Sequence, residues 1–134
     1  MSHLLSVAKA NHIDVAQRNS KETQIKQMSK DMLACIDECL RRYQACLGTA
    51  MTHCLETGGK HVEPKHFRLM MACSEICRTA AHFMLSNSPH HKHVCRECAE
   101  ICTECAKDCE RIGDMEDCVQ ACKSCAESCR AMAS

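Results

Sequence analysis

The chain has 134 residues, the length of a single domain, and its 17 basic and 17 acidic side chains leave no net charge when histidine is neutral. This balance argues against nucleic acid or an anionic membrane surface as a partner. Aromatic residues are nearly absent, whereas fifteen residues are cysteine, a fraction of about 11% that is typical of proteins built around a cysteine framework. Composition alone leaves disulfides, catalysis and metal binding as roles for these thiols.

Disulfides are the least favoured of these roles. The N-terminal residues contain no apolar segment of the kind found in secretory signals, and no stretch approaches the roughly 18 consecutive apolar residues of a membrane span. We therefore expect a cytoplasmic protein without a membrane segment, in a compartment where thiols stay reduced. The odd number of cysteines also precludes complete pairing within the chain.

Helical patterns separated by glycine and proline account for most of the chain. Residues 1–19 form a weakly amphipathic N-terminal arm or short helix, and four longer helical segments then cover residues 20–57, 64–86, 88–112 and 115–131. Gly58 and Gly59 end the first segment, while Ser88 and Pro89 are the predicted N-cap and first helical residue of the third. Short connections between four helices predict an all-α fold, an antiparallel four-helix bundle spanning residues 20–134.

The cysteines recur at steps of three and four within these segments, which places them on one face of each helix. They are Cys35, Cys39, Cys46 and Cys54 in the first segment, Cys73 and Cys77 in the second, Cys95, Cys98, Cys102, Cys105 and Cys109 in the third, and Cys118, Cys122, Cys125 and Cys129 in the fourth. Leucine, isoleucine or valine would pack such a core without the risk of oxidation. We therefore predict a cysteine-lined core whose fifteen thiols are metal ligands.

The arrangement on helices bears on which metal is bound. Iron–sulfur clusters are usually held by cysteines on loops, and a closed tetrahedral zinc site of four thiolates would leave two negative charges in the core. Cu(I) is a soft ion that suits thiolates, and one Cu(I) per thiolate keeps the core neutral. We therefore predict a protein that stores or buffers many Cu(I) ions. The alternative is a zinc or cadmium thiolate store of the metallothionein type.

Two further functions are less favoured than a metal store. They are an iron–sulfur electron carrier and a thiol-redox enzyme. A reactive cysteine needs partial exposure and a lowered pKa, whereas these thiols are predicted to face a bundle interior. No catalytic triad, phosphate-binding loop or carboxylate pair stands out, so no enzymatic activity is predicted.

The pattern resembles the cytosolic branch of the copper storage proteins. The resemblance covers about residues 20–132 and rests on the cysteine ladders, although Arg42 and Tyr43 interrupt the first ladder and Ala80 or Ala81 shortens the second. It implies a bundle whose cysteine-lined lumen holds many Cu(I) ions, a tetrameric assembly, and a copper chaperone as a candidate partner. A second apolar stripe predicts that the homo-oligomer packs through the first two helices: Leu33, Ile36, Leu40, Tyr43, Leu47, Met51 and Leu55, with Leu69, Ile76 and Phe83.

The antiparallel bundle has two ends, and both carry soft ligands. One end gathers Met28, Met32, Met84, His91 and Met132; the other gathers Cys54, His61, His66, Met70, Cys109, Met115 and Cys118. The four methionines of the first end are at helical spacing, where methionine is more often core than ligand, whereas His91 is equally consistent with an exposed helix cap and with a ligand. The second end lies under Gly58 and Gly59, where flexible backbone and polar neighbours predict a hydrated, mobile rim. We therefore predict that His66, Met70 and Met115 are the ligands through which copper enters.

Overall fold

The computed structural model describes residues 28–134, and this part of the chain contains four long helices and no strand. They are α1 (Lys30–Thr49), α2 (Pro64–Leu85), α3 (His91–Ile112) and α4 (Glu116–Ala133). Asp31–Ser134 forms one compact unit, and the predicted all-α fold is confirmed. The predicted arm at residues 1–19 lies outside the described residues. Within residues 28–134 we found no helix with both the length and the apolar character needed to cross a membrane.

The first helix begins later than predicted and ends in an unusual way. It starts at Lys30, since Met28 and Ser29 are not helical, so the single helix predicted from about Ser20 is wrong at these two positions; residues 20–27 lie outside the described part of the chain. The acidic Asp31 in the first turn favours a start at this point. After Thr49 the helix continues as a π-helical segment (Ala50–Cys54) and a final α-turn (Leu55–Thr57). It stops where Gly58 and Gly59 adopt positive φ angles of 70° and 55°, which glycine accommodates without steric cost.

The other connections are short and follow known capping geometry. Beyond α2, Asn87 has a φ of 53° and the Ser88 amide donates to the Phe83 carbonyl, as in a Schellman motif. The predicted cap at Ser88 is wrong by two residues, since His90 occupies the N-cap position of α3. The reason is that Ser88 closes a turn of its own: its hydroxyl accepts from the His90 amide and its carbonyl from the His91 amide.

Contacts between the helices show that neighbours run antiparallel. Along α1 and α4, Cys35 contacts Cys129 while Arg42, further along α1, contacts Cys118 at the start of α4. The same reversal relates α2 to α3, where Cys73 faces Cys102 and Cys77 faces Cys98. Between α3 and α4, Lys123 pairs with Glu110. The cysteine-bearing faces of all four helices therefore meet along one lumen.

Candidate metal-binding lumen

All fifteen cysteines are free thiols and all are buried. Neighbouring Sγ atoms on different helices lie 3.5 Å apart for Cys39 and Cys129, 3.6 Å for Cys77 and Cys102, and 3.9 Å for Cys77 and Cys125. Many of the thiols are thus in direct sulfur–sulfur contact across helices, and a soft cation placed between two such neighbours can be bound by both.

Within this network, three groups of sulfur atoms are compact enough to surround a metal ion. They are Cys39, Cys98, Cys125 and Cys129; Cys77, Cys98, Cys102 and Cys125; and Cys46, Cys73 and Cys105, each with its ligand atoms within 4.8 Å of one another. The first two groups share Cys98 and Cys125. Because two sulfur atoms belong to both groups, the lumen is a shared sulfur surface and not a set of separate four-thiolate sites.

The π-helical segment brings Cys54 onto the lumen face. Cys54 follows Cys46 by eight residues, which overshoots two turns of an α-helix at about 3.6 residues per turn. A turn of π-helix contains more residues than a turn of α-helix, so Cys54 points more nearly in the direction of Cys46 than it would in a regular α-helix. Both Ala50 and Cys54 are fully buried. Burial raises the pKa of the Cys54 thiol above its ordinary value.

Met70 is surrounded by thiols. Its Sδ atom lies 3.8 Å from Cys46, 3.7 Å from Cys105 and 3.8 Å from Cys109. The Cys46 thiol also donates to the Met70 carbonyl at 3.2 Å. The thioether therefore lies among the thiols of two other helices, α1 and α3, and can serve as a further soft ligand.

The imidazole of His66 is oriented by Asp108, a carboxylate that the sequence patterns did not indicate. Its Nδ1 donates to Asp108 Oδ2 at 2.8 Å, which leaves Nε2 facing Cys54 Sγ at 3.9 Å. Burial opposes ionisation of Asp108, but hydrogen bonds from Arg111 and His66 lower the pKa of its carboxyl group. A carboxylate behind a histidine orients metal-binding imidazoles in many proteins. The sequence feature that could have indicated this role is that Asp108 directly precedes Cys109.

The prediction of a hydrated rim at this end of the bundle is wrong for His61. This residue lies in the 3-10 turn Gly59–Val62 and is only 7% exposed, because its ring packs edge-on against His53 and His66, with centroids 5.0 and 6.4 Å away. Desolvation lowers the pKa of His61, so its neutral form is favoured. The imidazoles of His53, His61 and His66 thus lie together at this end of the lumen. His53 was not among the predicted residues.

Beside these histidines, a cleft of about 900 Å³ lies at the surface of this end of the bundle. Cys109, Met115 and Cys118 line it together with His53, and Asp114, Glu116 and Asp117 add carboxylates. Met115 is 5% exposed at this site. The structure therefore brings His66, Met70 and Met115 to the same end of the bundle, with Met115 beside the cleft.

At the opposite end the predicted soft residues are less enclosed. Met84 is fully buried, whereas Met28, Met32, His91 and Met132 are half-buried. His91 uses Nδ1 to donate to the Ser88 carbonyl at 2.8 Å.

Arg42 is the one long charged side chain among the fully buried residues of the described chain. Its Nη2 donates to Cys118 Sγ at 3.0 Å. Burial by itself lowers the pKa of Arg42, but attraction from Cys122, Cys46, Cys118 and Cys73 outweighs it and raises the pKa. Hydrogen bonds from Cys109, Cys122 and Cys46, together with the charge of Arg42, lower the pKa of the Cys118 thiol.

These features define a class: a helical metal-binding protein whose ligands are thiols lining the interior of a four-helix bundle. The profile of the copper storage protein family (Csp) matches residues 21–134. The chain belongs to this family.

Individual relatives agree with this assignment. The crystal structure of Nmul_A1745 from Nitrosospira multiformis is 57% identical, covers 79% of this chain and 97% of its own, and superposes with a TM-score of 0.77. Cu(I)-bound copper storage protein BsCsp3 is 36% identical, with coverage of 78% and 100% and a TM-score of 0.72. The cysteine-rich protein YhjQ of Bacillus subtilis is 37% identical over 76 residues, which are 57% of this chain and 69% of that protein.

Proposed function

We propose that this protein stores Cu(I), with many ions held by the fifteen cysteine thiolates that line the bundle. The observation that carries the proposal is the burial of all fifteen thiols in one lumen, where the Sγ atoms of contacting pairs lie 3.5 to 4.0 Å apart. Family membership supports a storage role in which no substrate is turned over.

Shared sulfur atoms favour Cu(I) over zinc or cadmium. Cys98 and Cys125 belong to two four-thiol groups at once, so two closed tetrahedral zinc sites cannot be filled independently there. Each such site would also retain two negative charges away from water, whereas one Cu(I) per thiolate is neutral.

The proposal extends to the setting of the protein. A cytoplasmic location suits free thiols, residues 20–134 are the storage domain, and a copper chaperone is a candidate donor. The thiols face the lumen and are shielded from the solvent, which supports storage over thiol-redox catalysis.

An anaerobic titration against a competing chelator tests this function. At about one thiolate per ion, we expect a monomer to bind about fifteen Cu(I) ions, and zinc in a parallel titration to bind in smaller number. Saturation at four or fewer Cu(I) ions would contradict the storage proposal and favour discrete sites.

We further propose that copper enters at the end that holds the three imidazoles and the cleft. His66 supports this role because Asp108 orients it toward Cys54, and Met115 because it lies beside the cleft. Met70 contacts thiols of α1 and α3 and can pass ions inward. Neutral histidine and thioether ligands bind Cu(I) less tightly than thiolates do, which suits transfer.

Replacing all three residues tests this route. The variant His66→Gln with Met70→Leu and Met115→Leu should take up and release Cu(I) several-fold more slowly, while its total capacity stays near fifteen, because the thiolates are intact. Stopped-flow transfer from a chelator measures both rates. The matched control carries Met28→Leu, Met32→Leu and Met132→Leu at the opposite end. If the control is slow and the first variant is not, copper enters at the other end.

A further inference from the structure

Arg42 places a permanent positive charge inside the lumen. It follows Cys39 by three residues and precedes Cys46 by four, so it occupies a position where the ladder of α1 would hold another thiol. It is 2% exposed, and a guanidinium keeps its charge throughout the pH range in which proteins work. The metal-binding surface is therefore not electrically uniform before any copper arrives.

The guanidinium is only partly satisfied. Its Nη2 donates to Cys118, while Nε and Nη1 are buried with no hydrogen-bond partner among the described residues. Within residues 28–134 no carboxylate lies at ion-pair distance from it; Asp108, the buried acid, pairs with His66 and Arg111 instead. A buried charge without a counter-charge is strongly destabilising. Two nitrogen atoms with three N–H groups between them, and a full positive charge, thus remain available to an anion within the lumen.

The atoms near Arg42 determine the chemistry of that anion. Electrostatic interactions link it to Cys118 and Cys122 of α4, Cys46 of α1 and Cys73 of α2. Cys46 and Cys73 also belong to the compact three-thiol group with Cys105. Every candidate counter-charge in the described surroundings is therefore a sulfur atom, which binds soft cations.

We propose that Arg42 defines the first binding site for Cu(I), in which the ion is held as a two-coordinate bis-thiolate anion by Cys118 and one of Cys46, Cys73 and Cys122. This inference rests on the proposed storage function. Binding forms two Cu–S bonds, breaks two S–H bonds and releases two protons to solvent, with no change in oxidation state. The product carries one negative charge, which the guanidinium balances.

Charge explains why this site fills before the others. An isolated bis-thiolate pair elsewhere in the lumen is an uncompensated buried anion until further ions raise the ratio toward one per thiolate. Beside Arg42 the same pair is neutral as a unit and accepts hydrogen bonds from the guanidinium. The fixed charge also means that the loaded lumen reaches neutrality one ion below its number of thiols.

Three variants and one location measurement test the inference. Arg42→Met removes the charge but keeps an apolar chain in the core, Arg42→Lys keeps the charge, and Arg41→Met makes the same exchange at an exposed arginine of the same helix. Chelator competition measures the affinity for the first ion and the total capacity. Crystals loaded with one Cu(I) per chain locate that ion by anomalous scattering.

We expect Arg42→Met to bind the first ion at least about tenfold more weakly, the least that a charge-assisted hydrogen bond in a buried site supplies. Its capacity should stay within one ion of the unmodified protein. Arg42→Lys should retain most of the affinity and Arg41→Met all of it. The anomalous peak should lie between Cys118 and one of its three neighbours.

Unchanged first-ion affinity in Arg42→Met, or a first peak at Cys54 or among Cys35, Cys95 and Cys129, would overturn the role of Arg42 while storage stands. An unmodified protein that saturates at four or fewer ions would instead overturn storage itself. Circular dichroism establishes that each variant is folded. Should Arg42→Met fail to fold, Arg42→Lys and the position of the first ion in the unmodified protein still decide the question.

Discussion

Replacing Cys118, Cys122, Cys125 and Cys129 of α4 with alanine is expected to lower the Cu(I) capacity from about fifteen to about eleven ions, at about one ion per thiolate. Each of these residues is at most 5% exposed, so each sulfur atom lies inside the bundle and none is a surface thiol. Anaerobic titration to saturation, followed by copper analysis of the desalted protein, gives the number directly. Far-UV circular dichroism checks that the helices persist, since alanine is a strong helix former.

Val119→Ala is the matched control for this experiment. Val119 is buried on the same helix at 5% exposure, so the change disturbs packing without removing a sulfur atom, and capacity should remain near fifteen. If the variant that lacks these four cysteines still binds about fifteen ions, the thiols of α4 are not ligands.

Charge introduced on the outer face of α1 is expected to break the oligomer. Of the predicted outer stripe, Leu40, Met51 and Leu55 are exposed at 37%, 43% and 53%, whereas Ile36 is buried at 4% and was wrongly placed on it. Large exposed apolar residues on one helix are typical of an interface. If the assembly is a tetramer, as the family resemblance implies, four chains of 15.0 kDa give a mass of about 60 kDa. Leu40→Glu with Leu47→Glu should reduce the mass found by size-exclusion light scattering toward that of one chain, because buried unpaired carboxylates disfavour association.

The control for this variant adds the same charge elsewhere. Val62→Glu with Leu85→Glu alters two exposed apolar residues, one just before α2 and one at its last position, that lie outside the stripe. This protein should keep the mass of the unmodified chain. An unchanged mass for the Leu40 and Leu47 variant would remove α1 from the interface.

Local sequence was sufficient to predict the bundle and its lining. Steps of three and four between cysteines place them on one face of a helix whatever the helix packs against, and Gly58, Gly59 and Gly113 mark helix ends by their backbone freedom. The start of the first helix and the cap at Ser88 were predicted wrongly. Helix ends depend on competing hydrogen bonds, as the turn closed by Ser88 illustrates.

Pairings between distant residues could not be predicted in the same way. Asp108 reaches His66 across 42 positions of sequence, and Arg42 reaches Cys118 across 76. Which carboxylate orients a histidine, or which thiol accepts from an arginine, depends on the rotation and axial offset of whole helices. The register of α1 changes further at the π-helical segment, which brings Cys54 to face His66.

The sequence by itself determined that this protein is an all-α bundle with a thiol-lined interior suited to many soft metal ions, because helical periodicity is a local property of the chain. Only the tertiary structure decided how the sulfur atoms are shared between groups, that His61 is buried, and that a fixed cation lies among the thiols. These depend on the distances between side chains of different helices, and packing sets those distances only when all four helices are in place.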